Sequence, residues 1–237
     1  GHTWGVFDYS QQEPRLVVHY AALQNLYGVG DVLDAYHEGD ADFHTIVADM
    51  ANIPRLQAKT INLGLFYGMG KNKLQAELGV SKETSDELFK QYHERVPFVK
   101  MLMDNVMQRA QQRGQIRTLL GRLCRFHLWE PNMFGMHKAM THDAAILEHG
   151  PGIRRAFTYK ALNKLIQGSA ADMTKKAMLN LYKEGIIPHI QVHDELDISV
   201  ESKEHADKIK EIMESAVQLE VPNKVDYESG PNWGNIK

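Results

Sequence analysis

The segment IQVHDELDISV, residues 190–200, decides how this chain folds. Ile190, Val192, Leu196, Ile198 and Val200 share one parity, the period of a half-buried strand. His193, Asp194 and Glu195 break the run at its centre, so the segment reads as strand, tight turn, strand. Such turns usually take Gly or Asn. A tip of His, Asp and Glu breaks that rule, and broken local rules often mark functional sites. A hairpin needs partners. Residues 4–9, WGVFDY, read as a short buried strand ending near Asp8, and residues 224–227 as another.

Between these pieces the pattern is helical. Pro14 suits the first turn of a helix over 14–26. Further helices are expected over 32–38, 43–51 and 54–68, over 81–95 with Ser81 as cap, and over 97–114 with Pro97 opening and Gly114 closing. Residues 115–119 and 123–128 form a hairpin about Gly121. A long helix is expected from 153 to 184, closed by Gly185, and another over 203–219. The sum is a helix-rich α+β chain with a small antiparallel sheet. Its middle, nearly all helix, reads as a lobe inserted between two sheet-bearing ends.

The 237 residues carry a formal net charge of −3, with 43% apolar and 24% charged side chains. That composition excludes a disordered chain, a fibre and a disulfide scaffold. No apolar run approaches the ~18 residues of a membrane span. The single cysteine, Cys124, and the lack of a cationic-then-apolar leader point to a reducing compartment. Charge is unevenly placed. Residues 105–129 hold five arginines and no carboxylate, residues 149–171 are +4, and residues 201–228 are −4. A polyanion would be held by the two basic windows, although solvated helix faces give the same pattern.

Three constellations carry chemistry. In DYSQQEPR, residues 8–15, Asp8 ends an apolar strand, where a carboxylate needs a compensating cation such as a metal ion. Glu13 follows at the helix start. Read alone, the pair is equally an ordinary turn and helix N-terminus. In RLQAKTINLGLFYG, residues 55–68, Arg55, Lys59, Leu63 and Tyr67 step by four. They form a stripe ~120° wide and ~18 Å long. Two cations, an apolar contact and an aromatic ring in that order suit a nucleoside triphosphate. Read alone, it is also an amphipathic helix with two surface cations. The third is QVHDEL, where Asp194 would share metal ions with Asp8 from 186 positions away.

Together these elements, with Asn163 and QGSAAD at 167–172, resemble the family A DNA polymerases, the class of bacterial DNA polymerase I and many phage replicases. The spelling DYSQQEPR and the long stretch between Phe126 and Arg154 look more like phage members. The resemblance implies a palm of residues 1–14 and 154–237 and an all-helical fingers lobe of residues 15–153. It implies template-directed transfer of nucleotides from dNTP to a primer 3′-hydroxyl, with two Mg²⁺ ions on Asp8, the Tyr9 carbonyl and Asp194. Glu195 would be a secondary carboxylate. Arg55, Lys59 and His44 would hold the triphosphate, with Lys59 serving catalysis. Gln11, Leu63 and Tyr67 would complete the dNTP site, and Glu13 would block a ribose 2′-hydroxyl. Asn163, Gln167, His193 and Arg117 would meet primer–template DNA.

Four positions depart from the family pattern. Leu63 stands where Phe or Tyr is usual, which is expected to lower incorporation efficiency. Pro14 and Gln12 replace apolar residues at the helix start. Tyr159 replaces an Arg that faces DNA in bacterial members. The resemblance also implies a thumb and an exonuclease domain ahead of Asp8. The expectation is therefore a fragment, or one half of a split polymerase whose other chain supplies the thumb, working in bacterial or phage-infected host cytoplasm. A single-subunit RNA polymerase, a non-catalytic half and a two-metal nuclease are the competing readings; Glu13, the retained Asp8 and Asp194, and the cationic helix respectively weigh against them.

Overall fold

The computed structural model describes residues 2–39, 41–69, 71–133 and 135–236. It is helix-rich with small antiparallel sheets, the α+β class expected. Tertiary contacts divide the chain into two compact units. A sheet unit comprises residues 1–25, 29–43 and 169–237, and a helical unit comprises residues 26–28 and 44–168. Among the described residues no helix is long and apolar enough to cross a membrane.

In the sheet unit, β1 (Thr3–Tyr9) lies between β7 (Glu195–Val200) and β8 (Val225–Gly230), with β6 (Ile190–Val192) outside β7. Every pairing is antiparallel. Phe7 lies opposite Leu196 and Tyr227, and Asp8 opposite Glu195 and Asp226. Side chains alternate between faces along a strand. One face therefore buries Phe7, Tyr9, Leu196, Ile198 and Val200. The other presents Asp8, Glu195, Asp226 and Glu228. Leu16, Val17 and Val18 of α1 (Gln12–Leu23) are buried in this unit, as are Ala206, Ile209 and Met213 of α10 (Lys203–Glu214). Burying each large apolar side chain contributes roughly 1.5–3 kcal/mol. The Tyr9 hydroxyl donates to the Met213 carbonyl at 2.6 Å, tying β1 to the end of α10. Helix α2 (Gly30–Glu38) also belongs here.

The helical unit contains most of α3 (Phe43–Ala51), then α4 (Arg55–Phe66), α5 (Lys71–Leu78), α6 (Lys82–Arg95) and α7 (Pro97–Arg113). The punctuation residues act as expected. Ser81 Oγ accepts from the Thr84 amide at 3.2 Å, Pro97 opens α7, and Gly114 closes it with φ 67°. Two ladders interrupt the helices: β2 (Gln115–Arg117) with β3 (Leu123–Arg125), and β4 (Trp129–Pro131) with β5 (Ile153–Arg155). Helix α8 (His142–His149) lies between the last two strands. A turn at Thr158–Lys160 leads into α9 (Ala161–Lys183), within which the unit division falls.

Several local expectations are corrected. The helix expected from residue 153 starts at Ala161. Residues 153–155 instead pair with residues 129–131, and the Gln111 amide accepts from the Arg155 N–H at 3.0 Å and donates to its carbonyl at 2.8 Å. Phe157 at φ 61° then interrupts the helical backbone. Helix α10 ends at Glu214 rather than residue 219, because the Asn223 amide donates to the carbonyls of Glu214 and Val217 at 3.0 and 2.8 Å. Helix α1 ends at Leu23, two residues before Asn25 takes a left-handed conformation at φ 49°. The short helices α5 and α8 and strand β4 were not anticipated.

One glycine shapes the end of α4. Gly68 has φ +65°, and a Cβ there would sit 2.8 Å from the Tyr159 carbonyl oxygen. Backbone packs on backbone at this point, which only Gly allows. The peptide of Tyr159 thus abuts the residue after Tyr67.

Candidate active site

The carboxylates converge at one end of the sheet. Asp8 pairs with Glu195, the residue after Asp194, and the Tyr9 amide donates to the Asp194 carbonyl at 3.4 Å. Asp8 and Asp194 are therefore neighbours despite the 186 positions between them. His193 and Asp194 form the two-residue tip between β6 and β7. His193 is exposed and left-handed at φ 53°, a conformation that favours glycine. Gln191 Nε2 donates to its carbonyl at 2.9 Å. Strain of this kind clusters at functional sites.

The electrostatics are unfavourable without a counter-charge. Although its side chain is exposed, the Asp8 carboxyl is pushed up to about 6, first by desolvation and then by repulsion from Asp194, Glu195, Asp226 and Glu228. Burial also raises Asp194, opposed by its own backbone N–H and by His193. Lys224 meets Asp226 at 3.7 Å on the neighbouring strand. Oxygen donors crowded to mutual repulsion fit a hard divalent cation. Among the described residues no group of three or more His, Cys, Asp or Glu makes a ready-made metal cage. Mg²⁺ typically takes one or two carboxylates and completes its shell with water and substrate phosphates, so the pair fits that use.

This repulsion has a measurable sign. Asp8 ordinarily titrates at 3.8 and here at about 6. The folded chain thus binds the proton more tightly than the unfolded chain, so stability falls as pH rises through that window. Above pH 6 the penalty, discounted for the exposed side chain, is on the order of 1 kcal/mol. Asp8→Asn should therefore raise the metal-free Tm by about 2–4 °C at pH 7.5, with no gain near pH 4. Thermal unfolding at the two pH values checks it; a gain that persists at pH 4, or a loss at pH 7.5, would refute the assignment.

The turn after β1 is braced. Buried Arg15 donates through Nε to the Ser10 carbonyl at 2.8 Å and through Nη1 to the Pro222 carbonyl at 2.6 Å, and stacks over Tyr36 at 4.7 Å. Gln11, left-handed at φ 52°, accepts from the Phe43 amide at 2.9 Å and donates to Ala41 at 3.5 Å, so its amide ties the approach to α3. Glu13 lies half-buried in the first turn of α1.

In the helical unit, α4 buries Ala58, Ile61, Asn62, Leu65 and Phe66 on one face. The opposite stripe leaves Arg55, Lys59 and Tyr67 exposed and Leu63 half-buried. Arg55 Nε donates to Thr45 Oγ1 at 3.1 Å. His44 is buried, and its Nδ1 lies 3.0 Å from Asn62 Nδ2. Asn62 Oδ1 accepts in turn from the Tyr92 hydroxyl. Asn163 is half-buried and Gln167 exposed on α9. Arg117 is exposed on β2 and donates to the Gly121 carbonyl at 3.2 Å. Arg122 Nη2 donates to the Gly168 carbonyl at 2.6 Å, docking this hairpin beside Gln167.

Sequence reasoning assigned no role to Arg15, Asn62, Tyr92, Asp226 or Glu228. A signal existed for Asn62, a polar residue on the apolar face of a helix. Alternation in 224–227 also placed Asp226 on one face, but which face needed the register.

The model of DNA polymerase family A matches residues 1–235. The chain is 35% identical to a DNA-directed DNA polymerase of Pseudomonas phage M6, over 99% of this chain and 39% of that protein. It is 34% identical to DNA polymerase I of Geobacillus stearothermophilus, over 99% of this chain and 26% of that protein. The chain thus spans well under half the length of these curated relatives. Among solved structures it resembles the POL domain of Pol1 from M. smegmatis, in complex with DNA primer-template and dNTP. The TM-score is 0.76 at 28% identity, covering 99% of this chain and 40% of that one. With paired aspartates on adjacent strand ends, a cationic helix and a family match over nearly every residue, the chain belongs to DNA polymerase family A.

Proposed function

We propose that this chain is the palm and fingers part of a DNA-directed DNA polymerase, with residues 1–14 and 154–237 as palm and residues 15–153 as fingers. It would extend a primer 3′-hydroxyl with dNTPs along a template. The observation that carries the reading is the meeting of Asp8 and Asp194 at adjacent strand ends. Those two carboxylates and the Tyr9 carbonyl would hold two Mg²⁺ ions. Bound there, Mg²⁺ favours ionisation of the primer hydroxyl and neutralises charge on the triphosphate.

The chain's own residues supply the rest. Arg55, Lys59 and His44 would hold the phosphates, and the Lys59 ammonium would strengthen its contact as negative charge grows on the leaving pyrophosphate. A cation that tightens in the transition state raises kcat rather than only lowering KM. Gln11, Leu63 and Tyr67 would frame sugar and base. Glu13 would exclude a 2′-hydroxyl and so select deoxynucleotides. His193 would touch the primer end, with Glu195 a secondary carboxylate beside it. Asn163 and Gln167 would read minor-groove acceptors common to all correct pairs, which checks shape rather than sequence. Arg117 would meet the DNA backbone.

The test is incorporation of dNTP into a primer–template with Mg²⁺, with rNTP in parallel. The chain is assayed alone and with a second polypeptide carrying thumb and exonuclease, the partner this reading invokes. Template-directed extension by dNTP and not rNTP supports the reading; no incorporation in either arrangement would remove it.

A further inference from the structure

His44, Asn62 and Tyr92 come from α3, α4 and α6 of the helical unit, and all three are buried. Asn62 shares α4 with Arg55 and Lys59 but faces inward, with no exposed surface. An asparagine in a helix interior is a poor helix former, and its amide is costly to bury unless it is hydrogen-bonded. A leucine would pack there without that cost. The hydrogen-bond chain accounts for the choice.

The chain has a direction. The Tyr92 hydroxyl donates to Asn62 Oδ1, and burial pushes that phenol above its ordinary value, so it keeps its proton. With Oδ1 engaged there, the Asn62 amino group faces His44 and donates to Nδ1 at 3.0 Å. A neutral imidazole has one N–H and one acceptor nitrogen. Nδ1 is the acceptor here, so the ring hydrogen lies on Nε2. The partner of one ring nitrogen fixes the role of the other.

We propose that Asn62 and Tyr92 are positioning residues that hold His44 in its Nε2–H tautomer, the one that can donate from Nε2 to the triphosphate of the incoming nucleotide. This rests on the nucleotide-binding role proposed above for His44. The arrangement also links α3 to the helix that bears the two exposed cations.

The test uses the 237-residue chain with ¹⁵N-labelled histidine and MgdATP as ligand. Long-range ¹H–¹⁵N spectra at pH 7.5 should show His44 with an unprotonated Nδ1 and a protonated Nε2. Tyr92→Phe deletes only the hydroxyl and should yield a mixture of tautomers. Asn62→Asp places an acceptor opposite Nδ1 and should invert the tautomer. By calorimetry, Tyr92→Phe should weaken dATP binding about three- to tenfold, the worth of one neutral hydrogen bond. In the His44→Ala background the Tyr92→Phe loss should vanish, as expected for coupled residues. An Nδ1–H tautomer in the unsubstituted chain, or a tautomer indifferent to both substitutions, would overturn the proposal. If the tautomers respond as expected but His44→Ala leaves dATP binding unchanged, the nucleotide role of His44 fails and the positioning chain stands without it.

Discussion

Asp194→Ala is expected to lower template-directed dNTP incorporation by roughly 10³-fold or more, about 4 kcal/mol in the barrier, while the chain stays folded. The reason lies in the sheet. Asp194 occupies a two-residue hairpin tip beside Asp8, and it is not among the buried residues of the core. Removing it subtracts one repelling charge from a crowded set, so stability should hold or rise. The chemistry has no substitute at that place, because Glu195 leaves from the next position along the chain. Glu195→Gln is the control and should cost far less, since it keeps both aspartates. Single-turnover kinetics with pre-bound primer–template separate the two. Equal losses from both substitutions would show that general negative charge matters rather than the Asp8–Asp194 pair.

Lys59→Ala should lower kcat by about 10²–10³-fold with a smaller change in dNTP affinity. Lys59 projects from the exposed stripe of α4 one turn beyond Arg55. A lysine in that place can follow the charge that develops on the leaving phosphates. Arg55→Ala should instead weaken dNTP binding more than it slows chemistry, because a distal phosphate carries its charge before and during transfer alike. Lys59→Arg should recover part of kcat, since the charge remains but its point-like reach does not. Measuring incorporation rate against dNTP concentration for the three variants checks this. If Lys59→Ala altered only the apparent affinity, the role assigned to its ammonium in the transition state would be wrong.

Much of this architecture was legible in the residues. The hairpin at 190–200, the strand before Asp8, the Ser81 cap, and Pro97 with Gly114 all rest on local rules: alternation, capping and glycine conformation. What was not legible depended on distant partners. Residues 153–155 look helical until residues 129–131 arrive to pair with them, and Gln111 secures Arg155 from another element again. The end of α10 is set by Asn223, nine residues on from Glu214. The candidate residues of each unit followed the same division. Asp8, Asp194, Arg55 and Lys59 were visible through their motifs. Asn62 gave only a hint, as a polar residue on an apolar helix face, and Arg15 and Tyr92 were silent, because a brace is recognised only when both of its ends are known. The acidic face made by Asp226 and Glu228 needed the β1–β8 register, which no local pattern contains.

The central claim, that Asp8 and Asp194 hold divalent cations in common, is most directly tested by anomalous diffraction from crystals of the chain grown with Mn²⁺ and a non-hydrolysable dNTP analogue. Manganese density about 2.1 Å from carboxylate oxygens of both aspartates is the expected result. Manganese bound elsewhere on the acidic face, with either aspartate left without a metal contact, would contradict it.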